Sequence, residues 1–257
     1  MSAREIVNLA AASGLLLAVL VLAESLRRRR AASPEVTRKL VHALSGLVAA
    51  TFPWLFASAW SVLVLTASFA ALIGTTRRLG VLGSVHGVSR RTDGGLYYPA
   101  GVLLLFVLAA HRPEAYVPAT LVLAFADPAA ALVGGPYGRN RYRVFGGRRS
   151  VEGSLAFAAC ALPCVLLPLG LLTALPPLSL LLWSLHVTLL ATVLEALAPR
   201  GSDNLAIPLG SGLALLPVAT APAPLAGLLL VPLASAGLLL VLGRRGAAAR
   251  LGPERQP

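Results

Sequence analysis

The chain has 257 residues, 57% of them hydrophobic and only 12% charged, and apolar stretches of membrane-spanning length recur from end to end. That balance excludes a water-soluble globular domain and points to a polytopic membrane protein, all-α in class. The formal charge of +12 needs no nucleic acid to explain it, since an arginine-rich face suits anionic membrane lipids or a phosphate-bearing substrate.

In chain order the sequence predicts about nine spans, at roughly 9–26, 40–56, 59–74, 96–110, 116–134, 154–173, 178–198, 205–220 and 225–242. The first follows Glu5 and precedes Arg27 to Arg30 with no small-residue cleavage site, so it reads as an anchor, not a removed signal peptide. Pro208, Gly210, Gly212 and Pro217 interrupt the eighth, which is expected to be broken or re-entrant. Threaded this way, 20 of the 22 lysines and arginines fall on alternate loops, and the positive-inside rule assigns those loops to the cytoplasm. The N-terminus is then outside and the C-terminus cytoplasmic, with residues 243–257 a flexible basic tail. No repeat or long linker divides the chain, so residues 1–257 are expected to form one membrane domain with its functional core at about 34–220. Cys160 and Cys164 lack a metal-ligand pattern and read as ordinary packing.

Asp127 is one of only ten acidic residues and sits inside the apolar run VPATLVLAFADPAAALV. A carboxylate in hydrocarbon costs at least a few kcal/mol, which makes it a functional-site candidate. It lies about eight residues before the cytoplasmic end of the fifth span, roughly 12 Å deep, within reach of a cavity open to the cytosol. Pro128 is expected to break or kink the helix there, leaving Asp127 as a cap on a half-helix.

Other polar residues gather toward the same face. Arg38 and His42 share one side of the second span and Lys39 lies beside them; a basic flank with a packed histidine accounts for them equally well on their own. The stretch GGPYGRNRYRVFGGRRSVEG (Gly134 to Gly153) holds six glycines and five arginines around one carboxylate, Glu152. Glycines admit backbone N–H groups to phosphate oxygens and arginines supply forked donors, although a solvated topogenic loop has the same composition. Ser150 is placed to cap the sixth span, with Glu152 in its first turn. Glu195 closes the seventh span, and Asp203 with Asn204 opens the eighth, where Asp203 by itself reads as a helix cap.

Asp127, Glu152, Glu195 and Asp203, with at least four cations, thus converge on one cytoplasmic vestibule. Interleaved carboxylates and arginines suit a magnesium-bound nucleoside triphosphate, because Mg²⁺ takes one or two carboxylates plus phosphate oxygens while cations neutralise the transferring group. A proton-coupled transporter uses intramembrane carboxylates too, but needs polar groups reaching both faces.

Five segments in order, RKLVHALSG (Arg38 to Gly46), GGLYYPAGV (Gly94 to Val102), FADPAAALVGGPYGR (Phe125 to Arg139), RRSVEGSLAF (Arg148 to Phe157) and LEALAPRGSDNLAIP (Leu194 to Pro208), resemble the CTP-dependent polyprenol kinase family. That family includes dolichol and phytol kinases and is distantly similar to phosphatidate cytidylyltransferases. The resemblance implies transfer of the γ-phosphate of CTP to an isoprenoid alcohol in the bilayer, phytol, geranylgeraniol or a polyprenol, with Mg²⁺ as cofactor. It implies that Asp127 and Glu152 serve the metal, and that Asp127, Glu152, Glu195 and Asp203 form the catalytic set. It further implies that Arg38, Lys39, His42, Gly134, Arg139, Arg149, Ser150, Gly153 and Asn204 bind nucleotide or phosphate. Arg149 stands where the family pattern usually has lysine. The alternatives are cytidylyl transfer to phosphatidic acid and, outside enzymes, the transporter. A single lysine against twenty-one arginines suggests a GC-rich prokaryotic genome, hence a plasma membrane with the site facing the cytoplasm.

Overall fold

The computed structural model describes residues 2–87, 94–144, 147–199 and 201–219. Ser2 and Glu5 cap each other's backbone at the start of α1 (Ala3–Arg28). Ser33 caps α2 (Pro34–Ala50), whose first turn begins with the proline that tolerates a missing N–H there. A short α3 (Phe52–Leu55) leads to α4 (Ala59–Arg78), and α5 (Gly83–His86) precedes α6 (Gly94–Ala109). Prolines also open α7 (Pro113–Leu121) and α10 (Pro177–Leu197). Between them lie α8 (Asp127–Gly134), strands β1 (Arg141–Val144) and β2 (Gly147–Ser150), and α9 (Val151–Leu172); α11 (Asp203–Leu215) is the last described helix.

Among the described residues, five segments are long and apolar enough to cross a bilayer: Ala3–Arg28, Ala59–Arg78, Pro113–Gly134, Val151–Leu172 and Pro177–Leu197. They correspond to the first, third, fifth, sixth and seventh expected spans. The second is α2, and the fourth is the 16-residue apolar α6. The eighth is α11, whose 13 residues run unbroken through Pro208. At about 1.5 Å per residue α11 is roughly 20 Å long, short of the roughly 30 Å hydrocarbon core. The ninth expected span and the basic tail lie outside the described residues. One continuous core runs through the bundle, with Phe106, Tyr116, Phe157, Leu169 and Ile207 almost wholly enclosed. Apolar side chains such as Leu171, Trp60 and Val21 cover the outside, as a lipid-facing surface requires.

The all-α membrane class holds, with one addition between the fifth and sixth spans: a short antiparallel hairpin, β1 with β2, paired Arg141 to Ser150 and Val144 to Gly147. Alternation explains it: in RYRV the tyrosine and valine turn inward onto Ala196 and the arginines turn out. One expectation needs correction: Asp127 does not cap a half-helix, since its own backbone is helical and its side chain makes no capping bond. The strain of Pro128 is absorbed by a π turn over Val122–Ala126 that keeps α7 and α8 one continuous rod.

Candidate functional site

The π turn has a chemical consequence. Pro128 has no N–H to offer the Leu123 carbonyl five residues earlier, and that carbonyl instead lies 2.9 Å from His42 Nε2. A carbonyl only accepts, so Nε2 carries the proton and Nδ1 is the acceptor of the neutral ring. Tyr98 on α6 steadies the same residue: its hydroxyl donates to the His42 carbonyl at 3.2 Å and the rings meet edge to face at 4.6 Å.

Beside His42, Lys39 reaches across from α2 and donates to Asp127 Oδ2 at 2.5 Å, both residues buried. His42 Nε2 lies 3.8 Å from the same oxygen. Taking two such charges out of water costs several kcal/mol per ion, and only close pairing offsets it. Arg38, one residue earlier, pairs with Glu35 at 2.7 Å.

The opposite wall comes from the hairpin and the α10–α11 junction. Arg149 on β2 lies 3.2 Å from Glu195 and donates to the Glu195 and Ala198 carbonyls at 3.1 Å and to Asp203 Oδ2 at 3.2 Å. Burial alone would lower the affinity of its guanidinium for the proton, but the Glu195 and Asp203 carboxylates outweigh that and hold it above its ordinary range. Burial pushes the Tyr142 phenol up, where its hydroxyl shares a 2.6 Å bond with Ser154. Glu195 Oε2 and Asn204 Oδ1 are buried without a hydrogen-bond partner among the described residues. Among the same residues five other buried polar atoms are likewise unpartnered; these two belong to the residues packed around Arg149 and Asp203.

Ser150 caps α9 as expected, accepting from Gly153 N–H. The glycines at this corner serve helix packing: a Cβ on Gly153 would stand 3.1 Å from the Ala130 carbonyl oxygen and from Gly134 Cα. Asp203 opens α11 but does not cap it, its Oδ1 accepting only from the next N–H, of Asn204.

Together these groups enclose a cavity of about 860 Å³. Asp127, Glu195, Asp203, Arg38, Lys39, His42, Gly134, Arg149, Ser150, Gly153 and Asn204 all line it, so eleven of the thirteen residues singled out by sequence meet there. Glu152 and Arg139 do not. Glu152 turns to Asn140, accepting from its backbone N–H at 3.1 Å and its side chain at 3.0 Å, and so ties the hairpin's base to α9. Arg139 is exposed on that base. Arg141 and Arg148, which carried no individual expectation, line the cavity in its place.

A second cavity, about 560 Å³ and largely apolar, opens between α1, α2, α4 and α6. The two share Arg38, His42, Gly87 and Asn204. Glu24 was missed by sequence reasoning; it ties α1 to α5, whose Gly83, Val85 and His86 line this second cavity. It accepts from Arg27 at 2.6 Å, from Arg28 at 3.0 Å and from the Ser84 N–H of α5 at 3.0 Å. A lone carboxylate just ahead of an arginine run was its only signal.

Among the described residues no group of three or more His, Cys, Asp or Glu side chains is arranged to hold a metal. A magnesium ion arriving with a triphosphate needs less, one or two carboxylates beside the phosphate oxygens. Two carboxylates that line the cavity could meet that demand, Glu195 through its unpartnered Oε2 and Asp127, whose Oδ2 already accepts from Lys39.

No family model and no solved structure matches the chain. A curated phytol kinase from Synechocystis sp. is 33% identical over 198 residues, which is 76% of this chain and 84% of that relative. Similarity at this level over three quarters of the chain decides the assignment: the chain belongs to the polyprenol and phytol kinase family of membrane enzymes.

Proposed function

We propose that the protein transfers the γ-phosphoryl group of CTP to the hydroxyl of an isoprenoid alcohol held in the membrane, at a site facing the cytoplasm of a prokaryotic cell. The observation that carries this reading is the junction of a charged cavity with an apolar one at Arg38, His42 and Asn204. A kinase for a lipid alcohol needs that arrangement, because one substrate is a polyanion in water and the other a hydrocarbon with a single polar end.

In this reading the triphosphate lies in the charged cavity against Arg38, Arg141 and Arg148, with Lys39 beneath it. Asp127 and Glu195 would hold the accompanying magnesium, whereas Glu152 is turned to Asn140. When bound, the ion neutralises phosphate charge and polarises the transferring group. The alcohol oxygen forms a bond to the γ-phosphorus as the bond from that phosphorus to the β,γ-bridging oxygen breaks, and CDP leaves with the electron pair. The hydroxyl proton passes to His42 Nδ1, the acceptor left by the Leu123 bond.

The test is incubation of membranes containing the protein with lipid alcohols and phosphatidic acid, using CTP labelled at the γ or the α phosphate. Label from γ in an alcohol, lost in Asp127→Asn, is the expected result. Label from α in the organic phase would make it a cytidylyltransferase, and no label from either position would return the weight to transport.

A further inference from the structure

We propose that the apolar cavity is the bed of the acceptor's prenyl chain and that its closed floor sets the longest chain the enzyme accepts, about that of phytol or geranylgeraniol. The proposal rests on the lipid-alcohol kinase reading and adds to it where the tail lies and what limits it.

The walls form one stripe on each helix. On α2, Arg38, His42, Ser45 and Ala49 recur at helical spacing from the charged end inward. On α4 the lining runs from Arg77 down to Leu65, twelve residues, roughly 18 Å at about 1.5 Å per residue. The upper rim at Val81, Gly87 and Gly95 is exposed. At the other end Ala49, Phe52 and Leu65, each 2% exposed, and Val102 at 4% seal the floor.

The polar end is built for a hydroxyl. Asn204 is 8% exposed, its amide N–H₂ donates to the Gly94 carbonyl at 3.2 Å, and this leaves the buried Oδ1 as an acceptor without a donor, on the wall common to both cavities. An alcohol supplies one O–H to that acceptor. Next to it His42 offers the ring nitrogen that receives the proton once the phosphoryl group arrives.

The depth decides the chain. Half of a bilayer's hydrocarbon core is roughly 15 Å, the thickness filled by one phospholipid acyl chain. A phytyl chain is about as long as such an acyl chain. A farnesyl chain falls short of the floor, and a dolichol-length chain meets Phe52 and Leu65 with most of its units still outside.

The experiment compares chain-length profiles for γ-label transfer to geraniol, farnesol, geranylgeraniol, phytol and a long polyprenol. Wild type is expected to fall off beyond geranylgeraniol and phytol. Ala49→Leu, which raises the floor, should keep farnesol turnover and lose at least tenfold on the two longer alcohols, while Phe52→Ala should shift the optimum upward. Geranylgeraniol carrying a photoreactive group at its far end gives a readout independent of variant folding, with cross-links expected at Ala49 to Phe52 and at Leu65. An unchanged profile in both variants, efficient wild-type use of the long polyprenol, or cross-links confined to the outer faces of α9 and α10 would each overturn the proposal. Failure of wild type to label any alcohol would overturn the kinase reading itself.

Discussion

Lys39 and Asp127, 88 residues apart in the chain, form a buried ion pair of 2.5 Å that joins the first turns of α2 to the start of α8. Lys39 is also the single lysine of the sequence. Removing one partner of such a pair strands a charge, at a cost of about 3–5 kcal/mol, whereas removing both is far milder. Lys39→Met and Asp127→Asn should therefore each lower the melting temperature in detergent, and the double variant should recover it. Transfer of γ label should stay lost in all three, because stability returns in the double variant and the site's charges do not.

His42→Ala should lower kcat by about 10²- to 10⁴-fold, the usual worth of a positioned base, with little change in the KM for CTP. Melting temperatures measured beside the steady-state kinetics separate this from a packing defect, which would lower stability in step with the rate.

Magnesium should be required, and chelation should abolish transfer. If Glu195 and Asp127 hold the ion, Glu195→Gln should raise the Mg²⁺ concentration giving half-maximal rate, while Glu152→Gln should leave it unchanged. Metal titrations of the two variants side by side decide between the carboxylate that lines the cavity and the one turned to Asn140.

Arg149 makes four contacts that a lysine's single ammonium cannot reproduce at once. Arg149→Lys should loosen the hairpin from α10 and α11 at about 1–3 kcal/mol, raise the KM for CTP and speed tryptic cleavage between Arg141 and Arg148. Cleavage no faster than in wild type would show that other contacts hold the hairpin.

Gly153→Ala should cost about 1–3 kcal/mol, since the added methyl presses on Gly134 Cα and the Ala130 carbonyl where α8 and α9 pack most closely. Thermal denaturation measures it. Gly14, with open space at its Cβ, serves as the neutral control.

The sequence by itself determined the membrane class, most helix positions, and most of the polar residues that line the charged cavity. The reason is physical: a carboxylate or lysine is so costly in hydrocarbon that its presence there announces a site before any geometry is known. Ser150 as a cap was legible because capping is local. What only the tertiary structure decided was pairing. Nothing along the chain tells Asp127 to take Lys39 or Glu152 to take Asn140, since those choices depend on helices meeting far apart in sequence. The hairpin hid in a stretch read as a glycine- and arginine-rich loop, because four residues of alternation weigh little until Ala196 is there for Tyr142 and Val144 to bury against. The second cavity was invisible for the same reason. Most of its lining residues are ordinary apolar ones scattered over several helices, and only their packing leaves the space between them.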